Sequence, residues 1–595
     1  MKTLDFLSED QKQAVQRVLG PSLILAGAGS GKTRVLTHKV AYLVSEGFAK
    51  PEEILLVTFT NKAAQEMVGR VRSLLDKEVL QIPFMGTFHS FSSKILRVSG
   101  KSIGISPNFA IFDEQDQLTL IKEALEKSQI KTKLKPYVFL SEISKAKNEL
   151  VGPEQFERLV VGEYQEQILQ VFTIYQKLLF ENNALDFDDL LVFVNRLFEK
   201  DHHVLSLYQD KFRFILVDEY QDVNTAQYKL TKNLAQKHKN ITVVGDASQA
   251  IYGFRGADFR NILRFQKDFP EAKVFSLDEN YRSTSKILSV AFSVISKNTS
   301  HPILRIWSKN DSGEMPLVYQ AHSEVDEANF VVQKILESNE PLSSFAVLYR
   351  TNAQSRVLEE TFLYHGIPYV LVGGVRFYQR KEVKDVLSYL RILSNPKDQV
   401  SKKRVLKIGK RRFEKFQGLQ NKINLKKLST LETLDSILET TDYLSILDDG
   451  TLQGLSRIEN VKELRSVASN FSDLPSFLEN VALVEIESQK KHLGQAAHLM
   501  TIHQAKGLEF DTVFLVGMEE GLFPHSRSLW DPNELEEERR LCYVGITRAK
   551  NRLYFTFSSR RLYFGSRENN LPSRFLSDIP PDQVQTITRY DLDSL

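Results

Sequence analysis

Short apolar runs that stop at a glycine or an acid, each followed by a helical period, set the pattern of the first third of the chain. Ser22–Ala26 is apolar after its first residue and runs into a glycine-rich turn, and a helical spacing then continues to residue 45. A second apolar run at 54–59 is followed by another helical stretch at 63–75, and a short helix over 8–19 opens with Ser8 and Gln11. Continuous apolar strands alternating with helices predict a parallel α/β sheet.

From about 110 to 186 the pattern changes to helices and polar turns with no clear strand. Strand-like runs return at 214–217, 241–244 and 273–277. A second α/β pattern begins near Leu317 and 345–349, gives way to helices from about 382 to 490, and resumes at 499–502, 513–516 and 553–557. The expected organisation is therefore α/β with two parallel-sheet cores, each interrupted by a mainly helical insert. The boundaries read as 1–109 and 187–281 for core 1, with insert 110–186. Core 2 reads as 282–381 and 491–580, with a compact insert 382–490 and a short C-terminal tail at 581–595.

Composition narrows the class. With 42% hydrophobic and 26% charged residues the 595-residue chain has material for several soluble cores. Cys542 is the only cysteine, so an intrachain disulfide and Cys-x-x-Cys zinc sites are excluded. No apolar run approaches the ~20 residues that span a bilayer, and the first residues lack a signal-peptide apolar region, so the expected location is the cytoplasm with no membrane partner. A formal charge of +3 permits nucleic-acid binding without arguing for it. Its distribution says more: Lys402, Lys403, Arg404, Lys407, Lys410, Arg411, Arg412, Lys415, Lys422, Lys426 and Lys427 face a single acid, Glu414. That stretch reads either as a phosphate-contacting surface or as a solvated helix face.

Two motifs carry the candidate chemistry. Gly27, Ala28, Gly29, Ser30, Gly31, Lys32 and Thr33 follow a strand and open a helix, the context a phosphate-binding loop requires. Its backbone N–H groups would hold phosphate oxygens, Lys32 would add a point charge, and the Thr33 hydroxyl would meet Mg²⁺. The strict pattern wants glycine at 26, where this chain has alanine. The strand 214–217 then ends in Asp218 and Glu219, and buried carboxylates are costly unless paired or holding a metal. Asp218 reads as the Mg²⁺ carboxylate and Glu219 as the residue that orients and deprotonates the attacking water of an ATP hydrolase. Gln11 has two readings, a capping-box residue with Ser8 or a contact to the base.

In order along the chain, Gln11, the glycine-rich loop, Thr58-Phe59-Thr60-Asn61-Lys62, Gly86-Thr87-Phe88-His89 and Asp218-Glu219-Tyr220-Gln221-Asp222 are followed by residues 245–257, Asn280-Tyr281-Arg282-Ser283, 501–510 and 538–549. This series resembles the UvrD/Rep/PcrA group of superfamily 1 (SF1A) DNA helicases over nearly the whole chain, to about residue 576. The resemblance implies two RecA-like cores with ATP bound between them. It implies that Arg282 and Arg548 reach the γ-phosphate, that Gln249 contacts it and reports to the DNA side, and that Arg34 and Tyr281 sandwich the adenine. Gln11 would read the base edge and Glu509 would meet the ribose. Phe59, His89, Tyr252, Phe254, Arg255, His503, His525 and Phe564 would line a single-stranded DNA track. The activity implied is an ATP- and Mg²⁺-dependent helicase moving 3′ to 5′, acting at single-strand/duplex junctions in repair or replication restart, with possible protein partners from those processes. The alternatives are a translocase that strips proteins from DNA with weak unwinding, or a DNA-stimulated ATPase serving as a loading subunit of a complex.

Three departures stand out. Relatives often carry a Gly-Ile-Gly turn that grips duplex where this chain has Lys410-Arg411-Arg412-Phe413-Glu414. They often show a further acid where this chain has Asp246-Ala247-Ser248. The second insert, at roughly 110 residues, is shorter than usual.

Overall fold

The structure is a computed structural model that describes residues 4–75, 82–425, 427–488 and 495–592. The chain divides into two compact units. Unit 1 comprises Met1–Tyr281 and Ser300–Lys309, and unit 2 comprises Arg282–Thr299 and Asn310–Leu595. Tyr281 and Arg282, neighbours in one motif, therefore belong to different units. The second core was expected to begin at 282 and continue without interruption. Instead the chain returns to unit 1 for ten residues, because Ile306 and Trp307 find apolar and backbone partners beside the glycine-rich loop.

Unit 1 holds β1 (Ser22–Ala26), β2 (Ile54–Thr58), β3 (Phe84–Thr87), β4 (Ala110–Ile111), β5 (Ala184–Leu185), β6 (Phe214–Val217), β7 (Ile241–Gly245) and β8 (Lys273–Leu277). Six form a parallel sheet in the order β3-β2-β6-β7-β1-β8. Alternate residues of one strand feed opposite faces, as the period of two requires. Leu23, Leu55, Val57, Ile215, Val217 and Val243 pack on one side, and Ile24, Leu56, Phe214, Leu216 and Val244 on the other. A sheet covered on both faces explains why its central strands are apolar throughout rather than alternating. Two residues at each end of the first insert pair as β4 and β5, closing its neck. The insert has its own core around Ile121, Phe139, Phe172 and Tyr175.

Unit 2 holds β9 (Leu317–Ala321), β10 (Phe345–Tyr349), β11 (Tyr369–Leu371), β12 (Ala497–Thr501), β13 (Phe510–Leu515), β14 (Ala549–Ser558), β15 (Arg560–Tyr563), β16 (Ser566–Asn569) and β17 (Gln585–Thr588). Seven build a second parallel sheet, β11-β12-β10-β13-β14-β9-β17. The segment 581–595 was read as a tail, yet Gln585–Thr588 is the edge strand of this sheet, paired with β9. Its four polar or β-branched residues carry no apolar run, so nothing in the pattern announced a strand. The helical insert packs on Leu387, Tyr389, Leu434, Ile437, Val461 and Leu464.

Candidate active site

In a parallel sheet, ligands gather where strands end at their carboxyl edge. In unit 1 the expected site residues arrive there from three adjacent strands. β6 and β1 flank β7, so the 186 residues between Lys32 and Asp218 collapse to two strand spacings.

β1 delivers the glycine-rich loop, and the helix Lys32–Ser45 starts directly behind it. Gly29 and Gly31 adopt φ of 68° and 87°, a region open to glycine without penalty. Every carbonyl from 27 to 30 has a partner. Ser30 Oγ donates to Gly27 O at 2.8 Å, Asn280 Nδ2 to Ala28 O at 2.6 Å, Tyr281 N to Gly29 O at 3.0 Å, and Gln11 Nε2 to Ser30 O at 2.8 Å. A glycine-rich turn of this kind, at the start of a helix, suits an anion held by backbone N–H groups. The returning segment Ser300–Lys309 supports the same loop. Asn280 N donates to Trp307 O at 2.7 Å and Trp307 N to Asp278 O at 2.9 Å. A Cβ on Gly27 would lie 2.2 Å from Ile306 Cγ2. Asn280 and Ile306 were not singled out from the sequence. Asn280 had a signal, as part of a recognised block, while Ile306 had none.

β6 delivers the acids. Glu219 stands at φ 50°, ψ 47°, a left-handed conformation that costs a non-glycine residue about 1–2 kcal/mol and is retained where a side chain must be aimed. Its Oε2 lies 3.8 Å from Lys32 Nζ and accepts a very short hydrogen bond from Gln221 Nε2. Lys32 Nζ and Asp218 Oδ1 are both buried with no hydrogen-bond partner among the described residues. Burial, then the Glu219 charge, pushes the Asp218 carboxyl up to about 7, against the opposing pull of Lys32. A buried ammonium and a buried carboxylate oxygen, each lacking a hydrogen bond, suit phosphate and a cation. Among the described residues no cluster of three or more His, Cys, Asp or Glu could cage a metal by itself. The unpartnered oxygen of Asp218 is of the kind a hard cation such as Mg²⁺ takes, one or two at a time, with phosphate and water completing its shell.

β7 ends at Gly245, and Asp246 follows it. Gln221 Oε1 accepts from Asp246 N at 2.9 Å and would lie 2.9 Å from a Cβ on Gly245. Asp246 Oδ2 accepts from Gln249 Nε2 at 2.6 Å. Gln221 thus joins Glu219, just after β6, to Asp246 and Gln249, just after β7. Gln11 does cap its own helix, donating N to Ser8 Oγ at 3.3 Å and accepting from Ser8 N at 3.2 Å. Its capping role and its contact with the loop coexist. Arg34 is half-buried on the helix behind the loop, and Tyr281 is 43% exposed with its hydroxyl donating to Glu279 at 2.9 Å.

Within unit 2, Arg282, Glu509 and Arg548 share one neighbourhood. Arg282 Nε is 2.7 Å from Glu509 Oε2, and Arg282 Nη1 donates to Thr547 O at 3.0 Å. Arg548 is 2% exposed and donates to the carbonyls of Val544 and Leu508 and to Thr547 Oγ1. Glu509 also meets Lys550 Nζ at 3.2 Å, and the arginine beside it holds its carboxyl below the usual range against the cost of burial.

The expected DNA-track residues also separate by unit. In unit 1, Phe59 and Tyr252 stack at 5.5 Å with rings 6° apart, and Phe254 meets Tyr252 edge-on at 6.1 Å while staying 52% exposed. The Arg255 side chain lies outside the described residues. His89 packs edge-on to Phe187 at 5.8 Å, and burial lowers its imidazole pKa. In unit 2, His503 is half-buried in the turn after β12. Phe564 sits at the tip of the β15–β16 hairpin with φ 56°, under Lys462 Nζ at 5.3 Å, and its carbonyl accepts from Arg465 at 2.7 Å. His525 does not present the open stacking face expected of it. It is 7% exposed, with Nε2 3.4 Å from Glu459 and Nδ1 accepting from Arg527 N, so its ring is spent on holding a turn.

The basic stretch forms the helices Gln399–Ile408 and Lys410–Gln420. Arg404 is committed to Asp385 at 2.6 Å, which thins the free charge, and Lys426 lies outside the described residues. Where relatives were expected to turn on Gly-Ile-Gly, Lys410–Glu414 is the first part of a helix. No described helix is long and apolar enough to cross a membrane.

Comparison with known proteins agrees with this arrangement. The UvrD/REP helicase N-terminal domain matches residues 7–270, and the UvrD-like helicase C-terminal domain matches 275–447 and 413–560. The chain is 44% identical to the ATP-dependent DNA helicase PcrA of Staphylococcus epidermidis over 98% of its own length and 87% of the relative's. It is 43% identical to the PcrA proteins of Staphylococcus aureus and Bacillus subtilis with the same shares covered. With matches of that length, and with the glycine-rich loop, the paired acids and the bridging glutamine meeting at one sheet edge, the chain belongs to the UvrD/REP family of helicase enzymes, the family of the PcrA helicases.

Proposed function

We propose that this chain is an ATP- and Mg²⁺-dependent motor that moves 3′ to 5′ on single-stranded DNA and opens duplex at single-strand/duplex junctions, in DNA repair or replication restart. The observation that supports it most is the continuous hydrogen-bonded path from Glu219 through Gln221 to Asp246 and Gln249. A hydrolysis site joined to a neighbouring strand end can report whether its nucleotide is intact.

The loop N–H groups and Lys32 bind the phosphates. Thr33 and Asp218 would hold Mg²⁺, which neutralises developing phosphate charge when bound. Glu219 orients the attacking water and accepts its proton, while the left-handed backbone and Gln221 fix the direction of its carboxylate. Arg282 and Arg548 would supply positive charge to the γ-phosphate, a task suited to guanidinium forks. Glu509, already paired with Arg282, would meet the ribose. Gln11 keeps one N–H and one lone pair beyond its cap and loop contacts, enough to read an adenine edge. Tyr281 and Arg34 would stack on that base. Phe59, Tyr252 and the exposed Phe254 form the stacking surface, sequence-tolerant because every base has a π-face. The domain organisation we propose has cores built on the two parallel sheets, with helical inserts at 110–186 and 382–490.

A partial duplex with either a 3′ or a 5′ single-stranded overhang tests this. ATP-driven strand separation from the 3′ overhang is expected, and separation only from the 5′ overhang would overturn the polarity. The helical Lys410–Glu414 segment favours a second reading, a translocase that clears proteins from DNA and unwinds weakly. That reading would show as DNA-stimulated ATPase and protein displacement without strand separation.

A further inference from the structure

Lys39 is 2% exposed, and its Nζ donates to Ala14 O at 3.0 Å and Arg17 O at 2.6 Å. Among the described residues no carboxylate pairs with it. A buried ammonium without a counter-charge is costly, and this one faces two carbonyls at the end of the helix Glu9–Gln16. A helix C-terminus carries partial negative charge and orphan carbonyls, which a cation can satisfy. Burial and the nearby Arg17 charge lower the Lys39 pKa to about 7.

The location gives the contact a consequence. Lys39 stands on the helix Lys32–Ser45, which begins with Lys32 and Thr33 of the glycine-rich loop. The helix it clamps carries Gln11, whose Nε2 donates to Ser30 O and lies 2.9 Å from where a Gly31 Cβ would be. Lys39, midway along its own helix, therefore ties it to the C-terminal end of the helix whose first turn carries Gln11, the brace of the glycine-rich loop. We propose that Lys39 is a positioning residue of the nucleotide site, holding the helix 9–16 at the depth where the Gln11 amide supports the Ser30–Gly31 turn. This rests on the reading of that turn as a phosphate loop.

Equilibrium binding of a fluorescent ADP analogue to the full chain tests it. Lys39→Met should weaken binding about tenfold, the factor that corresponds to one hydrogen bond's 1.4 kcal/mol, and Lys39→Arg should restore it. Gln11→Ala should weaken binding at least as much, since it also removes the contact to the base, and the double variant should bind no worse than Gln11→Ala alone, because Lys39 acts through Gln11. In steady state, Lys39→Met should raise KM for ATP more than it lowers kcat. Should Met prevent folding, Lys39→Gln, which keeps one amide donor, takes its place in the cycle. Unchanged affinity, or losses that add in the double variant, would overturn the positioning role. Lys32→Ala separates the two claims: normal binding by that variant would remove the phosphate-loop reading itself, whereas lost binding there with a native-like Lys39→Met removes only the role of Lys39.

Discussion

Asp218 should destabilise the folded protein when no ligand is bound. Its carboxyl is 3% exposed, Oδ1 has no hydrogen bond among the described residues, and its pKa is pushed from 3.8 to about 7 by burial and by Glu219. The folded state therefore binds more protons than the unfolded state between about pH 4 and pH 7. Where the folded state binds more protons, stability falls as pH rises. The shift spans roughly three units at 1.36 kcal/mol each, so ionised Asp218 costs about 4 kcal/mol above pH 7 and nothing below pH 4. Asp218→Asn removes the titration. In the absence of nucleotide and divalent cation it should match the unsubstituted protein near pH 4 and exceed it progressively, reaching a Tm about 6 °C higher at pH 8 for a unit of roughly 300 residues. It should at the same time lose ATPase activity. Thermal unfolding of both proteins from pH 4 to 8 in EDTA measures the difference directly. A pH-independent difference, or an Asn variant less stable at pH 8, would refute the claim that an uncompensated buried charge sits at this strand end.

Three further outcomes follow from the geometry. Gly27→Ala should cost about 1–3 kcal/mol by overpacking against Ile306, read by chemical denaturation, and Ile306→Ala should recover part of that loss by vacating the space. Glu219→Gln should still bind nucleotide while hydrolysis falls about 10²–10⁴-fold, the usual contribution of a general base; a near-native rate would remove Glu219 from that role. Phe254→Ala should weaken single-stranded DNA binding by about 1–3 kcal/mol with little change in salt dependence, whereas neutralising Lys403 and Lys407 should flatten the salt slope.

The glycine-rich loop, the acidic pair and the strands beneath them were legible because their patterns are local. A glycine-rich turn needs consecutive residues, and an apolar strand ending in Asp218-Glu219 is visible within six positions. The inserts were legible because helical periodicity persists over many residues. The short elements were less so: Phe84–Thr87 and Gln585–Thr588 carry too few apolar residues to show a period, and become strands only because a neighbour offers hydrogen bonds.

By itself, then, the order of residues determined the two α/β patterns, their helical interruptions and the groups able to handle a phosphate. Tertiary structure decided what those groups lean on. The ten residues Ser300–Lys309 return to unit 1 and close against Gly27, Gln221 spans β6 and β7, Lys39 clamps the helix of Gln11, and His525 is spent on Glu459. Each of these is a contact between segments distant along the chain. Whether a side chain meets a ligand or a neighbour is set by which segments packing brings within a few ångströms, and no local pattern of residues encodes that.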